Sequence, residues 1–325
     1  MIGAAARRIA AIALGGLTCV AVQAFDLQGH RGARGLAPEN TLAAFERALA
    51  IGVTTLEMDA AVTADGVVVV SHDAALDPAI TRDANGRWLT ARGAPIRTLT
   101  LAEVQGFDVG RIDPASRYAR QFPEQSARDG ERIPTLAAVF AKVKALGADG
   151  VRFNIETKID PTRPDETLAP EPFVRALLAV IAVAGMSERV MIQSFDWRTL
   201  AIVQRLAPGM PTVYLTTRDK RFDTLADGTW TGGRRLADYP SVAHMVKAAG
   251  GTIWSPQYRG ITERDVAGAH ALGLQVIPWT VNDVSDAERL IGWGVDGLIS
   301  DRPDRMREAM QRRGIALPAP VPAAR

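Results

Sequence analysis

Past residue 24 the sequence alternates short runs rich in β-branched and apolar residues with amphipathic stretches of helical period. This alternation restricts the chain to a parallel β-sheet covered by helices. Nine runs read as strands: residues 25–30, 54–59, 67–72, 152–158, 189–194, 212–216, 252–255, 274–280 and 297–300. Several of the helices carry terminus signals. A helix at 39–50 follows Pro38 and stops at Gly52, and a helix at 263–272 has Thr262 as its cap and Gly273 after it. The pattern predicts an α/β fold, a (β/α)8 TIM barrel, as one domain over residues 25–316. A barrel of about 250 residues with insertions accounts for the 325-residue length as well as two domains would. Periodicity does not separate a closed from an open parallel sheet, so a doubly wound open sheet is the alternative.

Eight strands close such a barrel, and the ninth has a physical explanation. Between Asp59 and Val67 there is room for a turn at Ala64-Asp65-Gly66 but none for a crossover helix, which takes about a dozen residues. If the turn centres on Asp65, antiparallel pairing sets His72 opposite Met58 and brings its imidazole level with Glu57 and Asp59. If the two segments instead run parallel through an extended link, their C-terminal ends still share one rim. Two long connections interrupt the alternation. Residues 74–133, with a helical stretch at 99–105 and a polar run at 116–132, read as an insertion after the third strand. Residues 218–238, rich in Gly, Asp and Arg, follow a strand end and either cover part of the rim or form a solvated loop. The Pro/Ala-rich tail at 317–325 is expected to be disordered.

Residues two apart on a strand face the same side, so Glu57 pairs with Asp59, while Asn154, Glu156 and Lys158 form a second same-face series. Two unit charges about 4 Å apart repel by roughly 4 kcal/mol at an effective dielectric near 20. Three carboxylates converging on one rim therefore need a proton, an internal cation such as Lys158, or a bound metal. With oxygen ligands alone that metal would be hard, Ca²⁺ or Mg²⁺. Spacing alone also allows three separate surface ion pairs. Of the four histidines, His244 and His270 fall in helical stretches, whereas His30 and His72 fall at strand ends. Two histidines on an acidic rim offer a general base and a general acid near neutral pH, which is what cleaving a phosphate diester with an alcohol leaving group requires. Arg31, beside His30 at a Gly-rich turn, has the planar fork that binds phosphate oxygens.

The run His30-Arg31-Gly32-Ala33-Arg34-Gly35-Leu36-Ala37-Pro38-Glu39-Asn40-Thr41, then Leu56-Glu57-Met58-Asp59, Thr63-Ala64-Asp65-Gly66 and Val70-Ser71-His72-Asp73, resembles the glycerophosphodiester phosphodiesterase family. The resemblance continues through Ile133-Pro134-Thr135-Leu136, Asn154-Ile155-Glu156-Thr157-Lys158, Gln193-Ser194-Phe195, Trp279-Thr280-Val281-Asn282 and the segment from Gly294 to Pro303, covering about residues 26–310. It implies a distorted TIM barrel that hydrolyses glycerophosphodiesters to sn-glycerol 3-phosphate and an alcohol. By the same resemblance His30 and His72 form the acid/base pair, Glu57, Asp59 and Glu156 hold one divalent cation, and Arg31 binds phosphate. It further implies that Lys158 helps neutralise the phosphate, that Phe195 and Trp279 shape the glycerol pocket, and that a glycerol hydroxyl attacks phosphorus to give a cyclic phosphate that water opens. The chain departs from the family pattern after His72, where Leu-Asp-Arg-Thr-Thr is replaced by Leu76-Asp77-Pro78-Ala79-Ile80-Thr81. Two other readings are a lysophospholipase D or sphingomyelinase D-like phosphodiesterase on the same barrel, and an exported binding protein without catalysis.

The N-terminus carries Arg7 and Arg8, an apolar stretch from Ile9 to Val22, and then Val22-Gln23-Ala24, with small residues where a signal peptidase reads. We expect residues 1–24 to be an export signal and the mature protein to be periplasmic. The 14 apolar residues would make a helix of only about 21 Å, too short for a hydrocarbon core of about 30 Å, so no stable membrane span is expected. Lipid attachment at Cys19, the only cysteine, is the competing fate. The chain has 38 Lys and Arg against 36 Asp and Glu. Because two of the bases lie in the leader, the remainder is formally neutral and has no electrostatic footprint for nucleic acid. The expected partner is a small charged substrate, and the sequence assigns no oligomeric state.

Overall fold

The computed structural model describes residues 24–322, so the expected leader lies, but for Ala24, outside the described residues. The strands are β1 (Asp26–Gly29), β2 (Thr55–Val62), β3 (Val68–Val70), β4 (Arg152–Thr157), β5 (Val190–Ser194), β6 (Thr212–Thr216), the short pair β7 (Arg218–Asp219) and β8 (Phe222–Asp223), β9 (Ile253–Pro256), β10 (Gln275–Val276) and β11 (Gly297–Ser300). The helices are α1 (Leu42–Ile51), α2 (Leu101–Val104), α3 (Leu136–Ala145), α4 (Pro170–Val183), α5 (Trp197–Leu206), α6 (Val242–Ala248), α7 (Glu263–Ala271), α8 (Val284–Gly292) and α9 (Pro303–Arg312). None of these helices is long and apolar enough to cross a membrane.

Eight parallel strands run in the order β10-β9-β6-β5-β4-β2-β1-β11. The ladder is interrupted between β10 and β11, yet the gap is bridged. The Asp296 amide donates to the Val276 carbonyl at 2.9 Å, Ile299 to Pro278 at 3.0 Å and Val281 to Ile299 at 3.0 Å. An open doubly wound sheet would leave exposed edges, whereas here the first and last strands pair with each other. The fold is the α/β TIM barrel that the alternation predicts, distorted where β10 shrinks to two residues.

The ninth strand is the hairpin partner of β2. Its pairing is antiparallel, with Ala60 opposite Val70 and Val62 opposite Val68. The Ser71 amide continues the register onto the Asp59 carbonyl at 2.9 Å, which places His72 level with Met58. Alternation then sorts the side chains. Leu27, Leu56, Met58, Phe153, Ile155 and Ile192 point outward into the main core against Phe45, Phe140, Phe173 and Leu200 of the helices. The barrel interior is divided. Met191, Val213, Ile253, Ile277 and Ile299 fill one half, and Gln28, Asn154 and Gln193 occupy the other, all at most 2% exposed.

Three expectations need correction. The first helix begins at Leu42, not Glu39, because Asn40 has φ 55° and the Thr41 side chain caps the helix by accepting from the Ala44 amide at 3.2 Å; Glu39 is turned inward instead. In the connection from β3 to α3, the helical stretch narrows to α2, held by a capping box between Thr100 and Glu103. That connection has its own small core of Leu76, Ile96, Val104, Val109 and Ile133 on Ala61 and Val69. The tail is irregular as far as residue 322 but tied down. Arg307 donates to the Pro318 carbonyl at 2.6 Å and the Val321 amide to the Leu49 carbonyl at 2.9 Å. A proline-rich strand is already extended, so docking it costs little further entropy.

Candidate active site

Parallel strands deliver their C-terminal ends to one mouth, where His30 follows β1, Glu57 and Asp59 lie on β2, Glu156 lies on β4 with Lys158 just beyond, and His72 follows the hairpin. A cavity of about 160 Å³ is lined by both histidines, Glu57, Glu156, Lys158 and Trp279 among others. The carboxylates are not surface ion pairs. Glu57 and Asp59 are each 1% exposed and Glu156 is 6% exposed, and one oxygen from each lies within 4.8 Å of the others.

Each carboxylate is anchored differently. Glu57 accepts from the Arg31 amide at 2.8 Å and from Gln193 Nε2 at 2.6 Å. Asp59 accepts from Asn40 Nδ2 at 2.9 Å. Lys158 Nζ lies 3.0 Å from Glu156 Oε1 and 3.8 Å from Asp59 Oδ1. Burial first, and then the neighbouring Asp59, push Glu57 well above the usual carboxyl range. Burial likewise pushes Glu156 up to about 7, against the pull of Lys158. Burial would also raise Asp59, but His72, Arg31 and Lys158 outweigh it and hold that group well below its ordinary value. Lys158 and Arg31 thus offset only part of the cluster. Asp59 Oδ1 is buried without a hydrogen-bond partner among the described residues. An orphaned anionic oxygen facing two further carboxylates is what an all-oxygen divalent-cation site presents.

The histidines are set by their own partners. His30 Nδ1 is 2.6 Å from Asp301 Oδ1, and its Nε2 lies 3.9 Å from Glu57 Oε2. Burial would raise the pKa of Asp301, but Arg34 and His30 hold it low. As a carboxylate it accepts from Nδ1–H, which leaves the Nε2 lone pair toward the cavity. Burial, followed by Arg34, pulls His30 down to about 4, so the ring is neutral at physiological pH. His72 is lowered too, by burial and then by Arg31 and Lys158, with Asp59 and Asp73 opposing. Its Nδ1 is 3.2 Å from Asp73 Oδ1.

A match to the sequence profile of the glycerophosphoryl diester phosphodiesterase family spans residues 30–305 and so contains every residue of this mouth. The chain belongs to that family. It is 30% identical over 280 residues to a glycerophosphodiester phosphodiesterase of Bacillus subtilis (strain 168), covering 85% of this chain and 83% of that one. It is also 30% identical over 286 residues to one from Caldanaerobacter subterraneus subsp. tengcongensis, covering 88% and 97%. A solved structure from Silicibacter pomeroyi DSS-3, provisionally named a glycerophosphoryl diester phosphodiesterase, superposes with a TM-score of 0.81 at 36% identity, covering 91% of this chain and 96% of that one. The chain is therefore an enzyme, a phosphoric diester hydrolase on a TIM barrel.

Within this family member most of the expected site residues converge, and Arg31 departs from its expected posture. Its guanidinium is not held out as a free fork. Nη1 donates to Glu39 Oε1 at 2.6 Å and Nε sits 3.4 Å from Asp59 Oδ2, because two buried carboxylates attract it more strongly than solvent does. Asp301, Arg34 and Gln193 carry no role in the sequence reading, although all three stand inside the motifs that carry the resemblance. Arg34 grips Asp301 through Nε at 2.8 Å and Nη2 at 3.1 Å, and Asn282 Nδ2 donates to the same carboxylate at 2.8 Å. Gln193 ends a buried chain in which Asn154 Nδ2 donates to Gln28 at 2.8 Å and to Gln193 at 3.0 Å. Their inward strand parity was the available signal. The segment at 218–238 is not merely solvated, since it brings Phe222 and Trp230 to a wider cleft outside the cavity, beside Phe195 and Trp279. In the divergent stretch after His72, Asp77 closes an Asx turn on the Ala79 amide at 2.8 Å, and Leu76, Asp77 and Ile80 line a small cavity that shares His72 and Asp73 with the cleft.

Proposed function

We propose that this enzyme hydrolyses glycerophosphodiesters to sn-glycerol 3-phosphate and an alcohol with the aid of one divalent cation, Ca²⁺ or Mg²⁺, held by Glu57, Asp59 and Glu156. The observation that carries this reading is that two histidines with separate acidic partners line one cavity together with Glu57 and Glu156, and that Asp59 completes a buried cluster with those two carboxylates. When bound, the cation would supply Lewis-acid polarisation of a phosphoryl oxygen. The chain's own residues do the rest. His30, neutral and oriented by Asp301, takes the proton of the attacking glycerol hydroxyl at Nε2. A bond from that oxygen to phosphorus forms as the bond to the alcohol oxygen breaks. His72 lines both the inner cavity and the outer cleft, so it stands where the alcohol departs and donates the proton that alcohol needs. In the second half water opens the cyclic phosphate with the two proton transfers reversed. Lys158 adds positive charge beside the phosphate, Arg31 borders the same cavity from its pairs with Glu39 and Asp59, and Phe195 and Trp279 wall the glycerol pocket.

Incubating the purified protein with glycerophosphocholine and glycerophosphoethanolamine should release sn-glycerol 3-phosphate, and a chelator should stop the release. Undiminished release in chelator would remove the cation from the proposal, and no release from any glycerophosphodiester would remove the substrate class. We also place the activity in the periplasm, on the strength of the leader-like residues 1–24; recovery of mature protein beginning at Phe25 from that compartment is the check.

A further inference from the structure

The wider cleft, of about 470 Å³, opens directly onto the inner cavity and shares His72, Glu156, Lys158, Phe195 and Trp279 with it. The inner cavity has room for little beyond a glycerol phosphate, so the second substituent on phosphorus has to extend into the cleft. One wall there is aromatic. Phe195 packs edge-to-face on Phe222 at 5.4 Å, on Trp279 at 5.4 Å and on Trp230 at 6.4 Å, and Phe222 meets Trp230 at 5.0 Å. Lys158 already lies 6.0 Å above the Phe195 ring, and Trp279 Nε1 is committed to the Ser255 carbonyl at 2.9 Å. Phe222, 38% exposed, and Trp230 are the rings presented outward. The segment that carries them is ordered. Phe222 belongs to the β7–β8 pair, and the Trp230 carbonyl accepts from the Trp197 amide at 2.8 Å.

The facing wall is charged but mostly self-paired. Arg92 grips Glu166 through two bonds of 2.9 and 2.6 Å, and Arg163 holds Asp160 at 3.0 Å. Asp73 is left over, with a 46% exposed side chain and only His72 as an ionic partner among the described residues. This wall therefore carries one net negative charge opposite aromatic faces. An anionic alcohol would meet Asp73 without relief, and an uncharged polyol would meet rings that give it few hydrogen bonds. A cation whose charge is spread over alkyl groups satisfies both walls, because it attracts ring faces and a carboxylate without demanding hydrogen bonds.

We propose that this cleft is the subsite for the leaving alcohol and that it selects an alcohol bearing a quaternary ammonium group, of the choline kind, held by Phe222 and Trp230 with Asp73 opposite. The assignment rests on the phosphodiesterase reading above, but its test does not depend on turnover. In calorimetric titrations of the whole protein, choline should bind at least about tenfold more tightly than its uncharged isostere 3,3-dimethylbutan-1-ol. Trp230→Ala and Phe222→Ala should each weaken choline about fivefold, and Trp230→Phe, which keeps a ring, should weaken it less. The same variants should lose kcat/KM for glycerophosphocholine by a matching factor while kcat/KM for glycerophosphoglycerol stays within about twofold. Equal or tighter binding of the isostere would overturn the proposal in favour of an apolar or acyl-chain cleft. Equal losses on both diesters would reduce the rings to structural parts, and absence of choline binding to the unmodified protein would end it outright. If choline bound selectively while no diester was hydrolysed, the subsite would stand and the activity would fall instead.

Discussion

The role proposed for His30 as a base depends on a residue 271 positions away, which fixes its tautomer. With Asp301 accepting at Nδ1, the neutral ring keeps one lone pair, and that lone pair faces the acidic cluster. A positioned acid or base contributes about 10²- to 10⁴-fold to rate. His30→Ala and His72→Ala should each lose that much in kcat/KM while circular dichroism shows the fold retained; near-normal turnover in either would take that histidine out of the mechanism. Glu156 offers a second test at this scale. Its folded pKa is raised to about 7, so in metal-free protein the folded state binds a proton that the unfolded chain, with an ordinary carboxyl, releases near pH 4.5. Stability attached to that group is therefore present at low pH and lost as pH rises through 7. Glu156→Gln, which mimics the protonated form, should melt above the unmodified protein at pH 8 in chelator, by on the order of 2 kcal/mol of stability. At pH 5 the two should nearly coincide. Thermal unfolding at both pH values measures the difference, and an equal gap at both would refute the assigned titration.

The β1–α1 connection does more than link two elements. Gly32 has φ 83°, and a Cβ there would stand 2.6 Å from the Ala44 backbone carbonyl carbon. The hairpin turn has a similar φ of 80° at Gly66, with nothing within 4 Å of the added atom. Gly66→Ala should therefore cost only the conformational term, about 1–2 kcal/mol. Gly32→Ala should cost distinctly more, and it should also lower activity by moving His30 and Arg31, which flank the turn. Chemical denaturation of the two variants, with kcat/KM measured alongside, checks this; equal stabilities would mean the turn yields more easily than its packing implies. The hairpin also explains why His72 reaches the site. The turn fixes the register, and the chain leaves the ladder after the Ser71 amide has bonded the Asp59 carbonyl, so His72, 13 residues past Asp59, turns into the mouth instead of following the outward face of Met58.

For the molecule as a whole, an acidic cluster compensated only in part by Lys158 and Arg31 inside a closed barrel stores repulsion that a divalent ion would relieve. Adding Ca²⁺ or Mg²⁺ should raise the melting temperature, by the equivalent of about 2.7 kcal/mol at a hundredfold excess over Kd. The rise should be larger at pH 8 than at pH 5.5, where protons compete for Glu57 and Glu156. Differential scanning calorimetry with each ion also ranks the two metals, and no shift with either would deny the cluster its cation. Much of this was legible in the sequence. Strand parity alone put Glu57 with Asp59 and Glu156 with Lys158, and the β/α alternation foretold the parallel barrel, because these follow from periods of two and 3.6 that each segment carries in itself; the missing crossover helix left a hairpin and an extended parallel link open, and the structure chose the hairpin. What only the tertiary structure decided is which distant groups meet. Asp301 comes to His30, Arg31 turns to Glu39 instead of outward, the tail lies along α1, and Phe222 and Trp230 of an irregular segment reach the cleft. Those choices depend on barrel closure and on competition among buried charges, and such energies belong to pairs of residues far apart in the chain, so no local period records them.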